Sequence, residues 1–343
     1  MRNLVTIQKI EEIQPIELAD AIEKAKIKEW WVVVKKGEFR IGDLCMYFEI
    51  DSFLPVKPEY EFLLRGSNPK KMLVDGQEKN GIRLKTIRLR GQISQGLALP
   101  ITDPFKDLAI GEDITEQLGV LKYEVPVPAN LAGVVKGNFP SFIPKSDEER
   151  LQNCADLLEH QKGSVVYIAS KLDGTSATYF RHKGEFGACS RNLELKESSG
   201  NTIWEMADKY DLKTCIPEGF AVQGELVGEG INKNPLRIKG HKLFVFNVFD
   251  INGHRYLDFD EMMSFCKEKN LDVVPIIRSS VILDFTFEQL MELADQKSPL
   301  NPDVIQEGIV VRPINERNVL INGVVRRFSL KVISNDYLLK MEQ

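Results

Sequence analysis

Lys171 lies in Ser170-Lys171-Leu172-Asp173-Gly174-Thr175-Ser176, a lysine delivered to a Gly/Ser/Thr-rich bend directly after the apolar run Val165 to Ala169. An amine so placed can be offered to a phosphoanhydride. It becomes a nucleophile when an adjacent cation or metal lowers its pKa from about 10.4. The same letters also spell an ordinary turn between two strands. What separates the two readings is whether the rest of the chain supplies acids and cations. It does: Asp173, Glu225 and Glu307 fall at strand ends or turns, as do Arg150, Arg191 and Lys331. Carboxylates can hold hydrated Mg2+ without a full protein cage, and cations with a metal stabilise charge on a phosphate and on leaving pyrophosphate. The inventory suits metal-assisted nucleotidyl transfer. No Walker-type G-x-x-x-x-G-K-[ST] and no G-x-G-x-x-G occurs, so side chains would have to grip the phosphates.

These residues must be positioned by a strand-rich framework. Beyond the lysine turn, strands are expected over Ala177–Phe180, Phe186–Ser190, Phe220–Val227, Leu243–Ile251 and Glu307–Pro313. A last one is expected over Arg326–Ile333. Helices are expected over about 202–210, 259–269 and 286–297. Ser146-Asp147-Glu148-Glu149 carries an N-cap, Glu149 three residues on and acids in the first turn, and so predicts a helix from Ser146 to about Glu159. On that helix Arg150 would sit away from the stripe of Leu151, Cys154, Leu157 and Leu158, as a solvated arginine. Upstream, Pro126, Pro128, Gly133, Gly137, Pro140 and Pro144 punctuate a linker over 126–145.

Residues 1–125 alternate short strands with Gly-rich turns, which points to a small closed β-barrel of OB type. Glu17 to Lys26 reads as a short helix. Ile82 to Arg90 sets Arg83, Lys85, Arg88 and Arg90 along one strand-like segment. With Arg65, Lys70, Lys71 and Lys79 nearby, this is the chain's best basic patch for a phosphate backbone. The competing reading is that the lysines protect an exposed strand edge. Of the adjacent Trp30 and Trp31, one should face the core, while the other is free to stack a base or to pack.

The 343 residues suffice for two domains, and 43% hydrophobic with 28% charged residues is the balance of a globular chain. No run of about 18 apolar residues is present, which argues against a membrane helix. Five scattered cysteines and four histidines without ligand spacing predict reduced thiols in an intracellular, most simply cytoplasmic, protein rather than a disulfide framework or zinc site. Net charge is −5, so any polyanion site must be a local patch on an acidic chain.

Taken in order, the motifs resemble the covalent nucleotidyltransferase superfamily of polynucleotide ligases and mRNA-capping enzymes. Lys171-Leu172-Asp173-Gly174 looks like its nucleotide-binding lysine motif. Ser190-Arg191-Asn192, Gly224-Glu225, Phe246 to Asp250, Glu307-Gly308-Ile309-Val310 and Leu330-Lys331 look like the successive downstream ones. Glu148-Glu149-Arg150-Leu151-Gln152-Asn153 resembles a segment of RNA ligases. The chain also ends within a dozen residues of Lys331, without the C-terminal OB domain of DNA ligases and capping enzymes. Val34 to Phe39 and Tyr47 to Asp51 resemble the N-terminal OB domain of RNA ligases related to those of Naegleria and Deinococcus. The resemblance implies an α+β architecture: an OB-type barrel (1–125), the linker, and a nucleotidyltransferase domain (146–343) of antiparallel β-sheets with flanking helices.

The same resemblance implies an ATP-dependent RNA ligase sealing 3′-OH and 5′-phosphate ends, acting as a monomer on nicked duplex or paired ends. A DNA or mixed-substrate ligase, or a non-catalytic OB-containing RNA-binding protein, stands as the alternative. Lys171 would form lysyl–AMP. Asp173, Glu225 and Glu307 would bind Mg2+ or Mn2+. Gly174, Arg150, Arg191, Asn192 and Lys331 would line the nucleotide and its phosphates, and Phe246 would either stack on adenine or pack in the core. One departure stands out. Related enzymes often carry two lysines in the last motif, whereas here it reads Ser329-Leu330-Lys331-Val332. Either Lys331 serves alone, or Arg326, Arg327 or Lys340 assists.

Overall fold

Period-2 alternation builds most of the molecule. The computed structural model describes residues 3–17, 19–64, 68–74, 77–123, 134–321 and 324–341. They form two compact units, one drawn from residues 1–129 and the last few from 339 onward, the other from 130–338.

The first unit contains β1 (Val5–Lys9), β2 (Glu12–Pro15), β3 (Ile22–Ile27), β4 (Trp30–Lys35), β5 (Leu44–Phe48), β6 (Ser52–Pro55), β7 (Lys70–Val74), β8 (Gln77–Arg83), β9 (Ile87–Leu89), β10 (Gln92–Ser94), β11 (Leu97–Pro100) and β12 (Leu121–Lys122). They pair as β1-β5-β11, β2-β3-β4, β12-β6-β8-β7 and β9-β10. β5 serves two cores because successive side chains point to opposite faces. Cys45 and Tyr47 join Ile27, Trp30 and Val32, while Met46 and Phe48 join Ile7, Leu54 and Tyr60. β4 buries Trp30, Val32 and Val34 and leaves Trp31 half-exposed under the Lys24 ammonium, 4.5 Å from the ring centroid.

Two expectations fail here. Residues 22–27 are strand rather than helix, held by the register Ile22↔Lys35 to Ile27↔Trp30, so cross-strand pairing overrides a local helical pattern. The segment Ile82 to Arg90 is broken between β8 and β9. Leu84 and Thr86 turn inward there, with the Leu84 amide on the Ser52 carbonyl at 2.9 Å and the Gln95 side-chain amide donating to the Thr86 hydroxyl at 3.3 Å.

The second unit contains β13 (Val135–Asn138), β14 (Glu149–Arg150), β15 (Val165–Lys171), β16 (Thr175–His182), β17 (Glu185–Cys189), β18 (Leu193–Leu195), β19 (Phe220–Gly228), β20 (His241–Asp250), β21 (Arg255–Tyr256), β22 (Ile276–Ile282), β23 (Lys297–Ser298), β24 (Asn301–Ile305), β25 (Gly308–Pro313), β26 (Asn318–Ile321), β27 (Val324–Arg327) and β28 (Leu330–Ile333). Its helices are α1 (Asp156–His160), α2 (Thr202–Lys209), α3 (Leu212–Cys215), α4 (Phe259–Glu268), α5 (Phe287–Ala294) and α6 (Asn335–Met341). A seven-stranded sheet runs β13-β18-β17-β16-β19-β20-β21, and a five-stranded one β14-β28-β25-β15-β22. Pairing in both is antiparallel except between β14 and β28.

β15 is buried on both faces, which explains its unbroken apolar run. Val166 and Ile168 pack with Ile309, Val311 and Leu290, while Tyr167 and Ala169 join the core shared with Tyr179 and Val222. The same alternation carries Lys171 onto the Tyr167–Ala169 side. All five cysteines are free thiols. The expected helix from Ser146 to Glu159 is replaced by β14, a 3-10 turn over Leu151–Asn153 and the short α1. A capping pattern lost there to pairing with β28. The expected strand over Arg326–Ile333 is two, β27 and β28. The expected linker falls partly outside the described residues, and from 135 it is already strand.

Candidate active site

Lys171 ends β15 opposite Gly308 of β25. At Gly308 a Cβ would lie 2.1 Å from the Val332 carbonyl oxygen, so only glycine lets β25 approach β28 so closely. That approach sets Glu307 beside the lysine, with Nζ donating to Glu307 Oε1 at 2.6 Å. Gly174 plays the same part on the other side. A Cβ there would stand 2.3 Å from the Leu226 carbonyl oxygen, so the lysine turn lies flat against β19 next to Glu225.

The electrostatics follow from this crowding. Burial alone would push the Lys171 amine down, but Glu307 and Glu225 override it and hold the pKa above the usual lysine value. The neighbours that set this pKa are acids, and they raise it. Burial pushes Glu225 up to about 8, with Lys171 opposing and the Glu307, Asp173 and Glu148 charges adding to the rise. Glu307 is raised for the same reasons, burial first. Asp173 accepts from the Tyr337 hydroxyl and from Asn232 Nδ2 at 2.9 Å, and burial with the Asp173 and Glu307 charges keeps that phenol protonated.

Expected cations converge through the Asp147–Arg150 segment. Arg150 is buried, opposite Lys331 in the parallel β14–β28 pair, rather than solvated. Asp147 Oδ1 lies 3.1 Å from Lys331 Nζ and 4.0 Å from Arg191 on the turn after β17. Asn192 Oδ1 accepts from Lys145 Nζ at 3.1 Å. Phe246 is half-buried at the edge of the core, 6.0 Å from the Arg312 guanidinium. Among the described residues no three His, Cys, Asp or Glu side chains converge closely enough to enclose an ion by themselves.

Several working parts escaped sequence reasoning. Arg312, buried in β25, donates Nε to Ser329 Oγ at 2.9 Å, Nη1 to the Phe246 carbonyl at 2.6 Å and Nη2 to Glu148 Oε1 at 2.8 Å. It therefore engages Ser329 of the last motif. Glu148 stays ionised although burial opposes it, because Arg312, Lys331, Lys171 and Arg327 hold its carboxyl low. Arg326 pairs with Glu149, and Arg327 with Glu316 and Asn247. Glu148 lies inside a quoted motif and Arg312 inside an expected strand, and both were visible as charged letters. Tyr337 and Asn232 gave no signal.

The proposed basic patch belongs to the first unit. Arg83 is paired with Asp51 at 2.7 Å and stacked on Tyr123, Arg88 donates to the Gly91 carbonyl at 2.8 Å, Lys85 is exposed, and Arg90 turns with φ +48°. Lys71 pairs with Glu78. Arg65 lies outside the described residues.

Two sheets holding a half-buried lysine among carboxylates make a nucleotidyltransferase-type centre. The pattern of an OB-fold domain matches residues 4–101, and that of the RNA ligase family matches residues 164–333. RNA ligase from Naegleria gruberi is similar over essentially the whole chain. A point mutant with ATP and Mn is 38% identical, with 98% of each chain covered and a TM-score of 0.85. Another with AMP and Mn has the same identity and coverage and a TM-score of 0.86, and a structure with PPi again shows 38%, 98% of each chain and 0.85. No curated protein matches by sequence. The chain belongs to the RNA ligase family, with an N-terminal OB-fold domain ahead of its nucleotidyltransferase domain. It is accordingly an enzyme, an RNA ligase. No helix among the described residues is long and apolar enough to cross a membrane.

Proposed function

We propose that the chain uses ATP and Mg2+ or Mn2+ to seal 3′-OH and 5′-phosphate RNA ends, at nicks in a duplex, through a lysyl–AMP on Lys171. The observation that carries this is the Lys171 amine, 2.6 Å from Glu307 with the Glu225 charge beside it, and Lys331 close enough to act on Glu307 in turn. The complexes of the Naegleria enzyme with ATP and Mn, AMP and Mn, and PPi support the nucleotide and the metal.

In the first step the amine, after losing a proton towards Glu307, attacks the α-phosphorus. An N–P bond forms, and the bond to the bridging oxygen breaks to release pyrophosphate. Lys331, Arg150 and Arg191 neutralise the phosphate charge that shifts onto the leaving group. In the second step the 5′-phosphate of RNA takes the AMP from Lys171 and the amine regains its proton. In the third the 3′-OH attacks that phosphate and AMP departs. Asp173, Glu225 and Glu307 fit a hard divalent ion: they are oxygen donors, a cation beside them would offset the burial and repulsion that raise Glu225 and Glu307, and lacking an enclosing set they leave an ion its waters. The ion would supply charge neutralisation at the α-phosphate and leaving pyrophosphate. Phe246, beside Arg312, is offered to the adenine. Five free thiols suit action inside the cell, as a monomer.

Incubation with α-labelled ATP and a divalent ion should give an acid-labile label that Lys171→Ala abolishes. Label that persists in the variant, or none at all, would sink the covalent mechanism. Equal sealing of an all-DNA nick would replace RNA specificity with a mixed substrate.

A further inference from the structure

The segment 229–240, which joins β19 to β20, is held at every level. Its neck is shut: a Cβ on Gly228, at φ +135°, would lie 1.9 Å from the Gly240 carbonyl oxygen. Leu236 is buried in the main core with Ile231 and Ile238 packed against it. Asn234 bridges the loop, donating to the Ile238 carbonyl at 2.9 Å and accepting from its amide at 3.0 Å. Asn301 donates to the Leu236 carbonyl at 3.1 Å. At the tip, Asn232 Nδ2 donates to Asp173 Oδ1 at 2.9 Å and to the Gly174 carbonyl at 2.6 Å, so the loop is tied to the lysine turn itself. Asn232, Lys233, Asn234 and Arg237 all take left-handed backbone angles. For lysine and arginine that conformation is unfavourable and persists only where surroundings impose it.

What this braced loop displays is positive charge. Lys233, Arg237 and Lys239 are exposed, as is Lys242 at the start of β20. None of the four side chains has an ion pair or hydrogen bond among the described residues, and Glu229 is the one acid in the segment. Elsewhere in this unit cations are commonly paired, as with Lys136 on Glu194 or Arg255 on Glu261. On a chain of net charge −5, a rigid run of unpaired cations fastened to the nucleophile's turn is a surface for a polyanion.

We propose that loop 229–240 is an RNA platform, Lys233, Arg237 and Lys239 each taking a backbone phosphate beside Lys171. The inference rests on the reading of Lys171 as the adenylylated residue of an RNA ligase. It adds where the RNA lies. Cations on a preorganised backbone contact phosphates without the cost of ordering a loop, and they do so independently of base sequence.

The test is the full chain against K233A/R237A/K239A, binding a nicked RNA duplex over a salt series, with uptake of α-labelled ATP read in parallel. Expected is roughly tenfold or greater weakening at low salt and a log–log salt slope shallower by about 2–3, one contact for each cation. Label uptake should stay within about twofold of the parent, since these contacts position RNA and not nucleotide. A conservative K233R/R237K/K239R chain should keep the slope. Unchanged affinity and slope in the alanine variant would overturn the platform, and so would label uptake falling in step with binding. If the parent itself takes no label, the ligase reading fails instead, while the salt slope still judges the platform.

Discussion

Lys171 holds its amine as an ammonium, locked to Glu307 at 2.6 Å, within a cluster whose acids are individually uncomfortable. Glu225 makes this measurable. Its pKa rises from 4.5 unfolded to about 8 folded, burial being the main cause. A raised folded value means the folded chain binds that proton more tightly. The associated stability is therefore complete below the unfolded pKa and is lost as pH climbs through the folded one. Glu225→Gln should flatten that loss, leaving the variant more stable than the parent by on the order of 1–3 kcal/mol at about pH 9 and little different at about pH 4. Urea unfolding at the two pH values, without metal or nucleotide, checks this. A variant that loses stability equally at both would show that the glutamate is not a buried charge under repulsion.

At the scale of elements, the site depends on two close approaches that only glycine permits. Gly174→Ala drives a Cβ against the Leu226 carbonyl and should cost about 1–3 kcal/mol while displacing the lysine turn from Glu225. Denaturant unfolding together with label uptake measures both. Uptake equal to the parent's would show that the turn need not lie against β19. This scale also explains what the sequence made legible. Lys171 and Glu307 were readable because one closes an apolar strand and the other leads into one, whereas Glu225 and Lys331, expected at strand ends, lie inside β19 and β28 and stood out as charges in apolar runs. The pairing of Glu148 with Arg312, 164 residues apart, is invisible to any local pattern. The fate of Ser146 to Glu159 was misread for the same reason. Its capping letters are real, but a parallel bridge to β28 outweighs them and buries Arg150. Asn232 and Tyr337 reach Asp173 from loop and helix positions with no periodicity to betray them.

For the whole molecule, the OB-fold domain and the nucleotidyltransferase domain each have their own apolar clusters, and the residues proposed to form lysyl–AMP all belong to the second. A chain lacking residues 1–125 should keep most of its label uptake from ATP and lose most of its nick sealing. Single-turnover assays of the two reactions separate these. Parallel loss of both would show that the first domain is needed for the chemistry as well as for RNA. The basic residues first singled out there are engaged in part by Asp51, Glu78 and the Gly91 carbonyl.

The Lys171–Glu307 contact has a consequence outside catalysis. Metabolites rich in activated acyl or carbonyl groups modify free amines wherever they meet one. A nucleophile stored as a hydrogen-bonded ammonium between two sheets has no lone pair to offer them. The contact that positions the proposed nucleophile thus also shields it from adventitious acylation.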